Sequence, residues 1–172
     1  EVVLENVCVP RSAVIGEVGC GMSIALNALN LSRAFISTLA VGIMQRALDE
    51  AVAYAKQRKQ FGRRLIDFEM VQAMLADMAI KTEAARVLVN NCMRQMDAGE
   101  MVRKDGAIVK TFVTDAMQEV VSNAVQVLGG YGYSEEYPVE KLMRDAKIFQ
   151  IFEGSNQIQR MTIAKELDRE YR

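Results

Sequence analysis

Apolar residues recur at intervals of three and four in three long stretches of the chain, the spacing that places them on one face of an α-helix. These stretches predict helices over about residues 22–58, 67–97 and 102–128. The predicted buried faces are, in that order, Leu26, Leu29, Arg33, Ile36, Ala40, Ile43, Ala47, Ala51 and Tyr54; Val71, Met74, Met78, Thr82, Ala85 and Val89; and Val109, Phe112, Ala116, Val120, Ala124 and Val127. Because short connections make consecutive helices antiparallel neighbours, the pattern predicts an all-α fold, an up-and-down four-helix bundle.

The positions between these stretches supply helix ends and two shorter helices. The segment 59–64 interrupts the first stretch, and the glycine-rich run 129–132 ends the third, as glycine does at a helix C-terminus. Asp67 is the predicted N-cap of the second helix. Pro138 suits the first turn of a short helix to about residue 148, and Ser155 is the candidate N-cap of a last helix to about residue 169.

The first residues have a different pattern. Val3, Val7 and Val9 supply part of an alternation that predicts one strand over residues 1–9. A lone strand has no partner for its hydrogen bonds and is not stable by itself. We therefore expect the chain to be a piece of a longer protein, with a loop between this strand and the first helix.

Composition narrows the function classes. The net charge of -1 gives no general reason to expect a nucleic acid as partner. The absence of histidine excludes His-dependent catalytic triads, most zinc sites and the Glu-x-x-His pairs of di-iron bundles. The three cysteines have no CxxC spacing, so a disulfide framework is not expected. We also predict no membrane span, because no wholly apolar run approaches about 20 residues.

Two segments carry candidate binding chemistry. Five cations surround Phe61 within residues 56–64, at the predicted end of the first helix. Such a cluster can bind a phosphate or pyrophosphate, but a solvated basic helix end is the more common arrangement. The run 129–132 can bring backbone N–H groups close to a ligand, although most glycine-rich turns bind nothing.

Two charged residues stand in apolar surroundings. Glu153 follows Phe149, Ile151 and Phe152, the setting of a general base, although an acid near a helix start is also common without any catalytic role. Arg33 lies on an otherwise apolar helix face, where a buried guanidinium requires an anion or several acceptors.

Four segments together resemble the C-terminal domain of the acyl-CoA dehydrogenase family. They are YAKQRKQFG at 54–62, VQVLGGYG at 125–132, EYPVEKLMRDAK at 136–147 and IFEGSNQIQR at 151–160. They occur in the family's order and with family-like spacing, and the likeness extends over nearly the whole chain. The resemblance implies an N-terminal helical domain, a middle β-domain and a C-terminal four-helix bundle. On this basis residues 1–15 are the end of the β-domain and a linker, and residues 16–172 are the bundle.

The resemblance also implies an activity and its partners. Family members use FAD to oxidise an acyl-CoA to the trans-2-enoyl-CoA and pass electrons to an electron-transfer flavoprotein. They are typically homo-oligomers, dimers of dimers packed through this bundle.

Glu153 matches the catalytic base of the medium- and short-chain type. In other relatives the base lies directly before the arginine that matches Arg33, where this chain has Ser32. A tyrosine often precedes the base, and here Phe152 replaces it.

Further site residues are implied position by position. Those matching FAD contacts, in part to a neighbouring subunit's FAD, are Arg58, Gln60, Phe61, Gln126, Gly129, Gly130, Ser155 and Gln157. Those matching substrate contacts are Asn30, Arg33 and Gly154. An aspartate is frequent at the position of Asn30.

Alternatives remain open at this point. We expect residues 1–172 alone to bind FAD weakly or not at all and to be inactive. A non-catalytic oligomerisation module and an acyl-CoA oxidase both fit the same bundle, whereas a nitroalkane oxidase would use an aspartate base. The sequence does not fix the acyl chain length, and both the bacterial cytoplasm and the mitochondrial matrix fit the composition.

Overall fold

A computed structural model describes residues 1–100 and 102–172. Its helices are α1 (Gly21–Gln57), α2 (Glu69–Asp97), α3 (Arg103–Leu128), α4 (Val139–Ile148) and α5 (Asn156–Glu170). Two short strands, β1 (Lys59–Gln60) and β2 (Arg63–Arg64), pair antiparallel between α1 and α2. The predicted all-α bundle is therefore confirmed, and each long helix ends within about two residues of its predicted bounds.

Helix α3 is the central element of the bundle. It packs against α1, α2, α4 and α5. Its buried apolar face includes Val109, Val113, Met117, Val120 and Ala124. The facing side of α1 is built mainly from buried alanines, which allow the two helix backbones to approach closely: Ala34, Ala40, Ala47, Ala51 and Ala55.

The predicted buried faces are largely correct in the middle of each helix. Two of their members are instead exposed, Leu26 near the start of α1 and Phe112 on α3. Leu26 lies in the first turns of α1, where seven of the eight residues 21–28 are exposed. Nothing in the structure explains the exposure of Phe112.

The interruption at residues 59–64 is a tight two-stranded ribbon, which the sequence pattern did not indicate. Lys59 pairs with Arg64 and Gln60 pairs with Arg63. The two turn residues, Phe61 and Gly62, have φ values of 51° and 81°. Positive φ at both central positions is the geometry that suits a two-residue hairpin, although a phenylalanine rarely adopts it.

The strand predicted over residues 1–9 is not formed in this structure. Residues 1–20 are exposed throughout and contain one 3-10 turn, Arg11–Ala13. The physical reason is the one that makes any single strand unstable, since its backbone groups have no neighbouring strand to bond with.

One of the two predicted helix caps is wrong and the other is correct. Helix α2 begins at Glu69 with Phe68 at its N-cap, so Asp67 is not the cap. Asp67 instead accepts hydrogen bonds from the Arg64 backbone and guanidinium and closes the 3-10 turn that precedes α2. Ser155 does cap α5, and its side chain accepts a hydrogen bond from the backbone N–H of Ile158.

Helix α1 is long and apolar enough to satisfy a length and composition criterion for crossing a membrane. The core helix of a bundle meets the same criterion, and α1 packs against α2, α3 and α4. Part of its apolar surface is left uncovered, on an exposed face that carries Leu31, Phe35 and Leu39.

Candidate active site

The loop between α4 and α5 holds Glu153 in an uncommon backbone conformation. Glu153 has a φ of 57° and the following Gly154 has a φ of 85°. A left-handed conformation costs a residue other than glycine about 1 kcal/mol or more, so the surrounding structure must hold it. Gln159 contributes to that hold, because its Nε2 donates to the carbonyl oxygens of Glu153 (3.1 Å) and Gly154 (3.0 Å).

The carboxylate of Glu153 is directed at α1. Ser32 donates a hydrogen bond from Oγ to Oε2 of Glu153 at 2.6 Å. Both side chains are half-buried. Beside them Phe152 packs edge-on against the buried Phe149, with 5.0 Å between ring centroids. The result is one carboxylate that a hydroxyl donor orients, next in sequence to a packed pair of aromatic rings.

Arg33 lies next to Ser32 on α1 and is almost fully buried, with 7% of its surface exposed. Its guanidinium donates to Oδ1 of Asn30 at 3.0 Å, while its Nε has no hydrogen-bond partner among the described residues. Burial lowers the pKa of Arg33, the charge of Arg103 lowers it further, and the charge of Glu153 raises it. A buried cation with an unused donor fits a site that receives a polar ligand.

Helix α3 approaches α1 closely at this point because Gly106 has no side chain. A Cβ on Gly106 would lie 3.3 Å from the carbonyl oxygen of Asn30. This close contact brings the start of α3 against the turn of α1 that carries Asn30 and Arg33.

A buried polar cluster on α3 contacts the same loop, and the sequence pattern did not indicate it. Lys110 is fully buried and donates from Nζ to the Gly154 carbonyl oxygen (2.9 Å) and to Oδ1 of Asn156 (2.7 Å). Asn156 in turn donates to Oγ1 of Thr114 (2.9 Å) and to Oδ1 of Asp115 (2.7 Å). Burial lowers the pKa of Lys110 to about 8, although Asp115 and Glu153 act in the opposite direction. A lysine at an otherwise apolar position of the helix is the sequence signal that would have indicated this cluster.

A second site lies at the other end of α1. A groove of about 560 Å³ is lined by Tyr54, Arg58, Gln60, Leu65, Val127, Leu128, Gly129, Gly130, Tyr131, Ser134 and Glu136. The guanidinium carbon of Arg58 lies 5.6 Å from the centre of the Tyr131 ring. Gly129 has a φ of 63°, a conformation that favours glycine. The groove thus combines a cation, an aromatic wall and a glycine-rich backbone, a combination suited to a phosphate-bearing ligand.

The structure brings together some of the residues predicted for binding and separates others. Arg58, Gln60, Gly129 and Gly130 line one groove. Phe61 is 93% exposed at the tip of the ribbon, and Gln126 is exposed on α3 without lining that groove.

The other predicted contacts lie near the loop. Asn30, Arg33 and Gly154 surround Glu153. Ser155 and Gln157 lie on its outer side, in a groove of about 450 Å³ that Asp115 and Arg160 also line. All of these binding roles remain predictions.

The two sites are far apart. Ser32 and Arg58 are separated by 26 positions along α1 and its C-cap, which corresponds to about 39 Å at 1.5 Å per helical residue. One small cofactor is too short to contact both sites of the same chain.

Comparison with known proteins gives a consistent result. The family model described as "Acyl-CoA dehydrogenase, C-terminal domain" matches residues 19–167. A probable acyl-CoA dehydrogenase of Mycobacterium bovis is 48% identical over 168 residues, which are 97% of this chain and 43% of that protein. A subunit of the caffeyl-CoA reductase-Etf complex of Acetobacterium woodii is 42% identical over 164 residues, 95% of this chain and 43% of that protein.

The solved structure of butyryl-CoA dehydrogenase from Megasphaera elsdenii superimposes with a TM-score of 0.95 at 44% identity, covering 97% of this chain and 44% of that one. The chain thus spans less than half the length of these relatives. The matched domain and the identities above 40% show that the chain belongs to the acyl-CoA dehydrogenase family.

Proposed function

We propose that this chain is the C-terminal bundle of an FAD-dependent acyl-CoA dehydrogenase in which Glu153 is the base that removes the α-proton of an acyl-CoA thioester. The observation that carries the proposal is the Glu153 carboxylate, which the loop presents in a left-handed conformation and which Ser32 orients at 2.6 Å. The product is the trans-2-enoyl-CoA. The position of the base on the α4–α5 loop supports the medium- or short-chain type.

The residues of the site have separable tasks in this reaction. An Oε of Glu153 accepts the α-proton, which leaves an enolate on the thioester carbonyl. The backbone N–H of Glu153 has no acceptor among the described residues, so it is available to donate to that carbonyl oxygen. The packed rings of Phe149 and Phe152 adjoin the base in sequence, and we infer that they help to exclude water from it. Arg33, Asn30 and Gly154 complete the wall on the substrate side.

The residues of the second groove fit the proposed cofactor. Bound FAD supplies the acceptor for the β-hydride. Arg58 would pair with its pyrophosphate, and the backbone at Gly129 and Gly130 can approach the phosphates closely because neither residue has a Cβ. Gln60, Phe61 and Gln126 surround the same end of α1, whereas Ser155 and Gln157 lie beside Glu153. Because about 39 Å separates the ends, we assign the two sets to two different FAD molecules in a homo-oligomer.

We infer the remaining domains of the intact protein from the part of its relatives that this chain does not cover. The chain spans about two fifths of each relative, so we propose that the intact protein adds an N-terminal helical domain and a β-domain that ends within residues 1–15. The relative named as a subunit of an Etf complex supports an electron-transfer flavoprotein as electron acceptor. The relatives compared above are bacterial, which favours the bacterial cytoplasm over the mitochondrial matrix.

The test is Glu153→Gln in the intact protein, assayed by acyl-CoA-dependent reduction of ferrocenium with a panel of straight, branched and cyclic thioesters. The substitution preserves size and removes the base. We expect the rate to fall by about 10³ or more with FAD still bound, a loss of about 4 kcal/mol of transition-state stabilisation.

The matched control is Glu119→Gln, which removes an exposed carboxylate paired with Lys81 on the bundle surface. Its rate should stay at the wild-type value. A Glu153→Gln protein that retains FAD and turns over at a similar rate to wild type would show that the base lies elsewhere.

A further inference from the structure

Lys110 is a buried cation that makes no hydrogen bond to a carboxylate among the described residues. Its side chain is fully inaccessible, and its two hydrogen-bond acceptors are neutral oxygens, the Gly154 carbonyl and the side-chain amide of Asn156. Removing an ammonium from water is costly, and two neutral acceptors offset that cost less well than an anion would. Folding stability alone would favour an apolar residue at this position of α3.

The two acceptors lie on either side of Ser155, directly after the base. Lys110 therefore connects the middle of α3 to a loop 44 residues away in sequence. The amide of Asn156 extends the connection to Thr114 and Asp115, so the whole start of α5 is bonded to α3. Burial lowers the pKa of Lys110 to about 8, which leaves the ammonium protonated at neutral pH.

The loop requires such a connection because its own backbone conformation is unfavourable. Glu153 and Gly154 are consecutive residues with positive φ. The peptide between them is held from one side by Gln159, on α5, and the Gly154 carbonyl is held from the other side by Lys110, on α3. Without the bond from Lys110, the Gly154 carbonyl would be held only by Gln159, on the helix that follows it.

We propose that Lys110 is a positioning residue for the base: its ammonium fixes the Gly154 carbonyl to α3 and so holds the Glu153 carboxylate in reach of Ser32 and the substrate. Lys110 does not touch the reacting atoms and acts only through the loop. The proposal rests on the proposed function for its effect on catalysis, whereas its effect on the loop is independent of any reaction.

The loop is tested first, by hydrogen–deuterium exchange in the intact, FAD-loaded protein. Lys110→Met keeps the length of the side chain and removes its donors. We expect the backbone amide of Asn156, which donates to the Gln150 carbonyl across the loop, to exchange at least about tenfold faster, while the amides of α3 keep their protection. Lys104→Met is the matched control, because Lys104 lies on the same helix but pairs with Glu170 at the surface. Unchanged exchange in the loop would overturn the proposal.

Catalysis is measured on the same proteins. A displaced base slows proton abstraction more than it weakens binding, so kcat should fall at least tenfold while KM changes less than about twofold. The kinetic isotope effect with α-deuterated substrate should increase at the same time. A loss of thermal stability in Lys110→Met with wild-type kcat and isotope effect would assign the lysine to folding alone.

A second variant covers the case in which Lys110→Met does not fold. Thr114→Val preserves shape and removes the hydroxyl that supports Asn156, and it should produce the same changes to a smaller degree. If no acyl-CoA thioester is oxidised even by the wild-type protein, the proposed function fails. The exchange experiment then still decides whether Lys110 holds the loop.

Discussion

Glu153 is held by groups from three different helices, and this is the main residue-scale feature of the site. Its carboxylate accepts from Ser32 on α1, its carbonyl accepts from Gln159 on α5, and the next carbonyl accepts from Lys110 on α3. A side chain restrained at both its backbone and its carboxylate loses little further freedom when a substrate binds. We therefore regard the site as preorganised.

Ser32→Ala tests the restraint on the carboxylate. Removing a hydrogen bond to a charged group costs about 1.5–3 kcal/mol at most, and only part of that is transmitted to the transition state. We expect kcat of the intact protein to fall about two- to tenfold with FAD content unchanged. Ser23→Ala, on the same helix but bonded to the Cys20 carbonyl, should leave kcat unchanged. Equal kcat values for the two variants would contradict a role for the Ser32 hydroxyl.

At the scale of single elements, the junction of α3 with the 3-10 turn that follows it, Gly129–Tyr133, is tightly packed. A Cβ on Gly132 would lie 2.6 Å from the Val125 carbonyl oxygen and 3.0 Å from the Val125 Cα. These are backbone atoms of α3, which cannot move without distorting the helix. Gly130, two residues earlier, has no atom within 4 Å of the corresponding position.

The pair Gly132→Ala and Gly130→Ala tests that contact. We expect Gly132→Ala to lower the free energy of unfolding by about 1–3 kcal/mol, the usual cost of overpacking, and Gly130→Ala to have a much smaller effect. Chemical denaturation of both variants beside the wild type gives the values. Similar losses in the two variants would show that the loss arises from glycine replacement in general and not from the contact.

The helices were predictable from sequence because each buries one continuous face, and a face of that length repeats its period several times. The ribbon at 59–64 was not, since strands of two residues are too short to show an alternation. The prediction of a strand at residues 1–9 was wrong for the opposite reason. The alternating pattern is present there, but no neighbouring strand among the described residues pairs with it.

The site was only partly predictable. Glu153 stood out beside phenylalanines, and four predicted residues, Arg58, Gln60, Gly129 and Gly130, meet in one groove. Lys110 was missed because its acceptors belong to a loop 44 residues away, and sequence periodicity reports only on neighbours along the same helix.

At the scale of the whole molecule, the groove at the Arg58 end of α1 is an open surface. The second groove, which Arg58 and Gly129 line, lies between α1 and the turn after α3. No described residue covers it. The exposed apolar face of α1 that carries Leu31, Phe35 and Leu39 lies on the same helix as Ser32. An apolar face of this kind is suited to packing against further protein.

Residues 1–172 expressed alone should therefore purify with far less than one FAD per chain, because a cofactor held by one wall loses most of its contacts. The flavin absorbance of the purified chain, relative to its protein absorbance, gives the ratio. Titration with added FAD should show weak binding, and the intact protein serves as the comparison. Stoichiometric flavin that copurifies with the isolated chain would contradict the proposed division of the site.

The length of α1 has a consequence for inheritance. In the proposed oligomer the Glu153 end and the Arg58 end of one chain serve two different cofactors, about 39 Å apart. An allele damaged at Arg58 and an allele damaged at Glu153 then fail for different reasons. In a cell that carries both, mixed dimers contain one site built entirely from intact halves. Two inactive alleles of this gene should therefore complement each other, whereas two alleles damaged at the same end should not.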